Sequence, residues 1–245
     1  MIRSTLLRSD LLASRQLAHP GGGKHTGSDI VLGYAGRCPL EPTHLILNFD
    51  NSGSVGSAGG NDPIGNRFLE ARLAIEAVSR RCRCDRELVS IVHFDCPTSG
   101  DVPPTPLNRH RSRQIERGLA IPPDGAGASL LGPSLKEAYR LAERFPDHQH
   151  VLCVLSDFQL FDPDLSKVLD DFSAFPGTLH AVVLRANPPS RLLDDDRIQV
   201  TLVDYTDRPG AVAHAVFDAA TTHRRQRRHG FAGRGSEPTV AEPAR

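Results

Sequence analysis

No run of apolar residues in this chain approaches the roughly 20 that span a bilayer, so a helical membrane protein is not expected. Neither charge is in excess: 29 Lys and Arg stand against 29 Asp and Glu over 245 residues, a formal net charge of zero. That excludes a polyanion binder acting through overall charge; any affinity for nucleic acid has to be local. Residues 1–23 lack an uninterrupted apolar segment, because Arg8 and Asp10 break it, and they read as a poor secretory signal. The five cysteines (Cys38, Cys82, Cys84, Cys96, Cys153) are odd in number, and Cys153 sits within an apolar run. This argues against a disulfide framework and for reduced thiols in the cytoplasm. There is no internal repeat and no G-x-S-x-G nucleophile elbow, and nothing pairs a Ser with a His.

What is present is an ordinary globular composition, 39% hydrophobic, in which strand-like and helix-like segments alternate. HLILNF, ELVSIVHF, HVLCVLSD, LHAVVLRA and IQVTLVDY read as strands. Helices are expected over NDPIGNRFLEARLAIEAVSRRC, LLGPSLKEAYRLAERF, DPDLSKVLDDFSAF and RPGAVAHAVFDAATTH, with a short exposed one over RHRSRQIERGL. In the first of these, Phe68, Leu69, Leu73, Ala74, Ala77 and Val78 form the expected apolar face. Residues 5–17 suggest a further helix and 29–36 a short strand. The alternation predicts a doubly wound, mostly parallel α/β sheet with helices on both faces. The expected organisation is an N-terminal extension over 1–42, one α/β domain over 43–223 and a disordered Arg-rich tail over 224–245.

Ligands of such sheets bind beyond the carboxyl ends of the strands. Asp50 and Asp157 each end a predicted strand there. After Asp50 the chain reads NSGSVGSAGG, so Asp50, Ser52 and Ser54 lie at alternate positions and can face one point. Gly53 is expected to let the chain turn between the serines. Two carboxylates with hydroxyls, and no Cys or His, make a hard-oxygen donor set suited to Mg²⁺ and unsuited to Zn²⁺. A divalent cation would also relieve the repulsion between the carboxylates.

Asp50-Asn51-Ser52-Gly53-Ser54 resembles the Asp-x-Ser-x-Ser motif of von Willebrand factor A (vWA) domains. The resemblance covers roughly residues 43–223. It implies a Rossmann-like sheet whose carboxyl edge carries a metal-ion-dependent adhesion site (MIDAS). It also implies two further metal ligands: Ser129, where the family has a Thr before a helix, and Asp157, after the fourth strand. This sequence departs from the pattern in three places. Ser129 keeps the hydroxyl and loses the methyl. Phe158 follows Asp157, where the family usually has Gly. DCPTSGDVPPTPLN is too rich in proline to be expected as a good third strand. By this resemblance the ion is Mg²⁺, or Mn²⁺ or Ca²⁺, and a partner protein's Asp or Glu completes its coordination. The resemblance also implies an intracellular adaptor, frequently beside ATPases or chaperones, rather than an enzyme.

Other signals carry less. Cys82, Cys84, His93 and Cys96 give a C-x-C…H-x-x-C spacing that matches none of the usual zinc patterns, so ordinary thiols are expected. GGGKHTG, residues 21–27, falls short of a phosphate loop, because Ala18 stands where the first Gly belongs and His25 follows Lys24. HRRQRRH, residues 223–229, is a basic cluster without aromatics for base stacking, and nucleic acid is the lesser alternative. A Mg²⁺-dependent hydrolase or phosphoryl-transfer enzyme using a strand-end carboxylate as nucleophile is the other alternative. Asp50 has no second carboxylate two residues on, where Ser52 stands.

Overall fold

The computed structural model describes residues 30–57, 59–62 and 66–230; the helix expected over 5–17 and the turn at 21–27 lie outside them. Six strands form one sheet: β1 (Thr43–Phe49), β2 (Leu88–His93), β3 (Val102–Pro106), β4 (Gln149–Ser156), β5 (Thr178–Leu184) and β6 (Ile198–Val203). Their order is β3-β2-β1-β4-β5-β6. All neighbours pair in parallel except β2 and β3. This is the expected doubly wound α/β fold.

Every residue of β1 is buried, as a central strand covered on both faces requires. Leu45, Leu47 and Phe49 enter one core together with Ala71, Ala74, Ile75 and Val78 of α2 (Arg67–Ser79) and Val212, Val216 and Phe217 of α7 (Ala211–Gly230). Ile46 enters the opposite core, with Leu131, Leu135 and Ala138 of α4 (Leu131–Arg144) and Leu169 and Phe172 of α5 (Leu165–Ser173). On that second face Asn48 donates to the Ser134 hydroxyl at 2.9 Å, and the His44 ring meets the Ser90 hydroxyl at 2.9 Å. Two short helices, α3 (Ser112–Glu116) and α6 (Ser190–Asp194), and a one-turn α1 (Gly53–Gly56) complete the described structure.

The structure corrects four expectations. The proline-rich segment does form β3, because it lies at the sheet edge, where a strand tolerates residues without N–H groups; its pairing with β2 shifts register between Val89 and Ile91. No strand forms over 30–36. Helix α2 is rotated from its expected face: Arg67, Glu70, Ala71, Ala74, Ile75, Val78 and Ser79 are buried, while Leu69 and Leu73 are only half-buried. Apolar periodicity missed this because two charged residues on the buried side, Arg67 and Glu70, find hydrogen-bond partners there. Glu70 accepts from the backbone N–H of Gly210 at 2.9 Å and of Ala213 at 3.1 Å, and so anchors the start of α7. Finally, Arg224, assigned from the sequence to a tail, is buried in α7 and pairs with Glu87. The helical backbone of α7 runs on to Gly230. At the other boundary, packing begins before residue 43: Ala35 lies in the first core and Pro42 accepts from the Gln149 N–H.

Candidate metal centre

The strand order reverses direction between β1 and β4, and the crevice beyond their carboxyl ends is where such a sheet binds ligands. Asp50 and Asp157 are the residues that follow these two strands. Asp50 is tied across the crevice by its N–H to the Leu155 carbonyl at 3.0 Å. Both side chains are fully buried, as is Ser52. The Ser52 and Ser54 hydroxyls lie 3.0 Å apart, so the alternate positions do converge. Asn61 joins the two sides: its N–H donates to the Ser54 carbonyl at 2.7 Å and its side-chain amide to Asp157 Oδ2 at 2.9 Å.

Ser129 lies in the loop before α4. Its carbonyl accepts from the Phe161 N–H at 2.9 Å, which ties that loop to the one after β4. A Cβ at Gly127 would lie 3.7 Å from the Asn51 carbonyl, which shows how closely the same loop passes β1's end. Asp50, Ser52, Ser54 and Asp157 thus stand around the head of the crevice; among the described residues the Ser129 hydroxyl makes no hydrogen bond to these four.

The electrostatics favour a cation. Burial pushes the Asp50 carboxyl up from its ordinary value; hydrogen bonds from the Ser156 hydroxyl and from Ser52 pull it down, and the charge of Asp157 adds to the rise. Asp50 Oδ2 accepts from Ser156 at 2.6 Å and Oδ1 from the Ser52 N–H at 2.8 Å. Each carboxylate oxygen keeps a second lone pair. Two buried carboxylates beside two adjacent hydroxyls, all oxygen, fit a hard divalent cation.

Sequence reasoning missed the residues that hold these side chains in place. Ser156 is one: besides donating to Asp50 it accepts from the Phe158 N–H at 2.8 Å. Phe158 has φ 55°, in the left-handed region, at the position where Gly was the expected residue. That conformation costs a non-glycine residue about 1–2 kcal/mol. Phe158 is held there by burial in the second core. Arg67 is another, with only 1% of its surface exposed. It pairs with Asp62 at 2.5 Å and donates to the Asp50 carbonyl and to Asn51 Oδ1, both at 3.2 Å. The Asn51 amide in turn lies 2.7 Å from His93 Nδ1. Burial lowers the His93 pKa, which keeps the ring neutral and makes Nδ1 an acceptor. Asp95 accepts from the N–H groups of Gly127 and Ala128, and Asp162 from those of Leu131 and Gly132, fixing the Ser129 loop and the start of α4. No sequence motif announced these. Gly53 is not the glycine the turn requires, since a Cβ there would meet nothing within 4 Å. Gly60 is, because its Cβ would lie 2.7 Å from the Val55 carbonyl and 2.8 Å from that of Ser54.

No protein-family model matches the sequence, and no curated protein matches it. Solved structures do match the fold. The SpRpn10 VWA domain aligns with a TM-score of 0.51 at 9% identity, over 71% of this chain and 94% of that one. Proximal thread matrix protein 1 from the mussel byssus aligns at 0.52 and 15% identity, over 76% of this chain and 49% of that one; a second structure of it has a zinc-occupied MIDAS motif. BatB from Bacteroides thetaiotaomicron aligns at 0.51 and 10% identity, over 75% of this chain and 99% of that one. This chain therefore spans about half of the byssus protein, and identities this low establish the fold alone.

Proposed function

We propose that this chain, which has the vWA fold, is a divalent-metal-dependent protein-binding module and not an enzyme. The observation that carries the reading is the convergence of Asp50, Ser52, Ser54 and Asp157 at the β1–β4 crevice, with the two hydroxyls 3.0 Å apart. In this reading Asp50, Ser52 and Ser54 hold the ion, Ser129 and Asp157 contribute directly or through water, and the ion is Mg²⁺. A bound divalent cation supplies a positive centre that still attracts an anionic oxygen, because only two carboxylates face it. An Asp or Glu of a partner protein is the ligand of matching charge. The zinc-occupied MIDAS motif of the byssus protein supports a metal at this place in the fold.

We read Asp50 as an ion ligand rather than a nucleophile, because Ser52 stands two residues on and supplies no second carboxylate to act as general acid or base. We place the module in the cytoplasm, as an adaptor; an ATPase or chaperone assembly is the partner class that the resemblance implies. Among the described residues, no helix is long and apolar enough to cross a membrane.

The test is affinity capture with wild type, Ser129→Ala and Asp157→Ala. EDTA should abolish capture and added Mg²⁺ restore it, with Ser129→Ala weaker than wild type and Asp157→Ala weaker still. Replacing Arg225, Arg227 and Arg228 together with Gln should leave metal-dependent capture intact. Binding that persists in EDTA and disappears in that variant would make the basic C-terminal residues the recognition element instead.

A further inference from the structure

At the opposite edge of the sheet, where β2 begins, three sulfurs and a carboxylate come together. Cys38 Sγ lies 3.6 Å from Cys82 Sγ, and Cys82 Sγ lies 3.7 Å from Cys84 Sγ. One ligand atom from each of Cys38, Cys82, Cys84 and Glu87 can be chosen so that all four lie within 4.8 Å of one another. A tetrahedral ion with metal–sulfur bonds of about 2.3 Å separates its sulfurs by about 3.8 Å. The two measured separations already match that spacing.

Glu87 supplies the second, independent observation. Its residue is 1% exposed, and Arg224 holds Oε2. Oε1 is buried with no hydrogen-bond partner among the described residues. A buried carboxylate oxygen left unpaired costs stability unless something fills that place. Arg224, fixed in turn by the Ala35 carbonyl at 3.3 Å, orients the carboxylate as outer partners of metal ligands do.

We propose that Cys38, Cys82, Cys84 and Glu87 form a structural Zn²⁺ site. Four protein ligands close the coordination sphere and leave no position for substrate, which marks a structural rather than a catalytic ion. The ion would fasten the chain before β1 to the α2–β2 loop and, through Glu87 and Arg224, to α7. Soft sulfur donors separate it chemically from the oxygen site at the other end of the strands. The spacing in sequence joined the wrong residues. His93 ends β2, about 16 Å along the strand from Leu88, and Cys96 follows it, whereas Cys38 arrives from the segment before the first strand.

The site is tested by cobalt substitution of full-length protein, purified under reducing conditions, with zinc content measured in parallel. Wild type should carry one zinc per chain. Its cobalt form should show thiolate-to-metal charge-transfer bands and the intense visible bands of a tetrahedral ion. Cys38→Ser, at a half-exposed position that tolerates the change, should lose about a third of the charge-transfer intensity, one thiolate of three, and Glu87→Gln should shift the visible bands. Asp50→Ala and Cys96→Ser should leave both unchanged, which separates this site from the oxygen site and from its failure. Absence of thiolate bands in wild type, or bands of undiminished intensity in Cys38→Ser, would overturn the proposal. So would an intact mass two hydrogens light, showing a disulfide where the thiolates should be.

Discussion

Replacing Arg67 with Met tests whether the oxygen site is held from behind. Arg67 touches none of the five proposed ligand side chains. It pairs with Asp62 and donates to the Asp50 carbonyl and to Asn51 Oδ1. Methionine fills much of the volume and removes all three bonds. Breaking a buried ion pair costs about 3–5 kcal/mol. The Asp62 side chain is 11% exposed and regains some water, which sets that loss near about 3 kcal/mol. The two orphaned acceptors add about 1 kcal/mol in total once partial rehydration is allowed. The sum, about 4 kcal/mol, lowers the melting temperature of a domain this size by about 12 °C. Circular dichroism melts in EDTA read this without the metal. Asp62→Asn breaks the same pair, so the double variant should lose less than the sum of the singles, by at least about 1 kcal/mol. A loss under about 1 kcal/mol in Arg67→Met, or strict additivity with Asp62→Asn, would refute the view that this pair props the β1 loop.

Three further outcomes follow from the geometry. Gly60→Ala forces a Cβ against two carbonyl oxygens and should cost about 1–3 kcal/mol and weaken Mg²⁺ binding, whereas Gly53→Ala should change stability by less than about 0.5 kcal/mol, both read by urea denaturation with and without Mg²⁺. Glu70→Ala should cost about 2–3 kcal/mol, because it strands the N–H groups that begin α7, and hydrogen exchange should rise first at Gly210 and Ala213. Burial lowers the pKa of His44 to about 3, aided by the charges of His150 and His148, and burial lowers that of His180 to about 4, aided by His223. Both are depressed in the folded state, so the unfolded chain binds more protons below its own pKa and stability falls with pH from about 6.5 downward. At pH 5 each should have cost about 2 kcal/mol relative to pH 7.5; a urea midpoint that stays level across that range would contradict the burial argument.

The sheet was legible because central strands of a parallel sheet are unbroken apolar runs, and the meeting of Asp50 and Asp157 at one crevice because each follows such a run. The strand at the edge was not legible, because three prolines in Val102–Pro106 are forbidden only where a neighbour needs their N–H groups, and an edge has no neighbour on one side. Burial of Arg67 and Glu70 on α2 was hidden for a different reason: hydropathy scores a charge without knowing its partner, and these partners are backbone groups and an Asp distributed along the chain. Cys38 joined Cys82 and Cys84 for the same kind of reason, being 44 residues away in sequence and 3.6 Å away in space. Local spacing brings out side chains carried on one turn, such as Asp50, Ser52 and Ser54; it is silent on groupings the topology assembles.

The central claim is that the crevice between β1 and β4 holds a hard divalent cation, and thermal melts with Mg²⁺ test it most directly. At Mg²⁺ about one hundredfold above its dissociation constant, wild type should gain about 2.7 kcal/mol, a rise of about 8 °C in melting temperature. Asp50→Ala should melt cooperatively and show no rise. An equal Mg²⁺-induced rise in Asp50→Ala, or none in wild type at any concentration, would contradict the account.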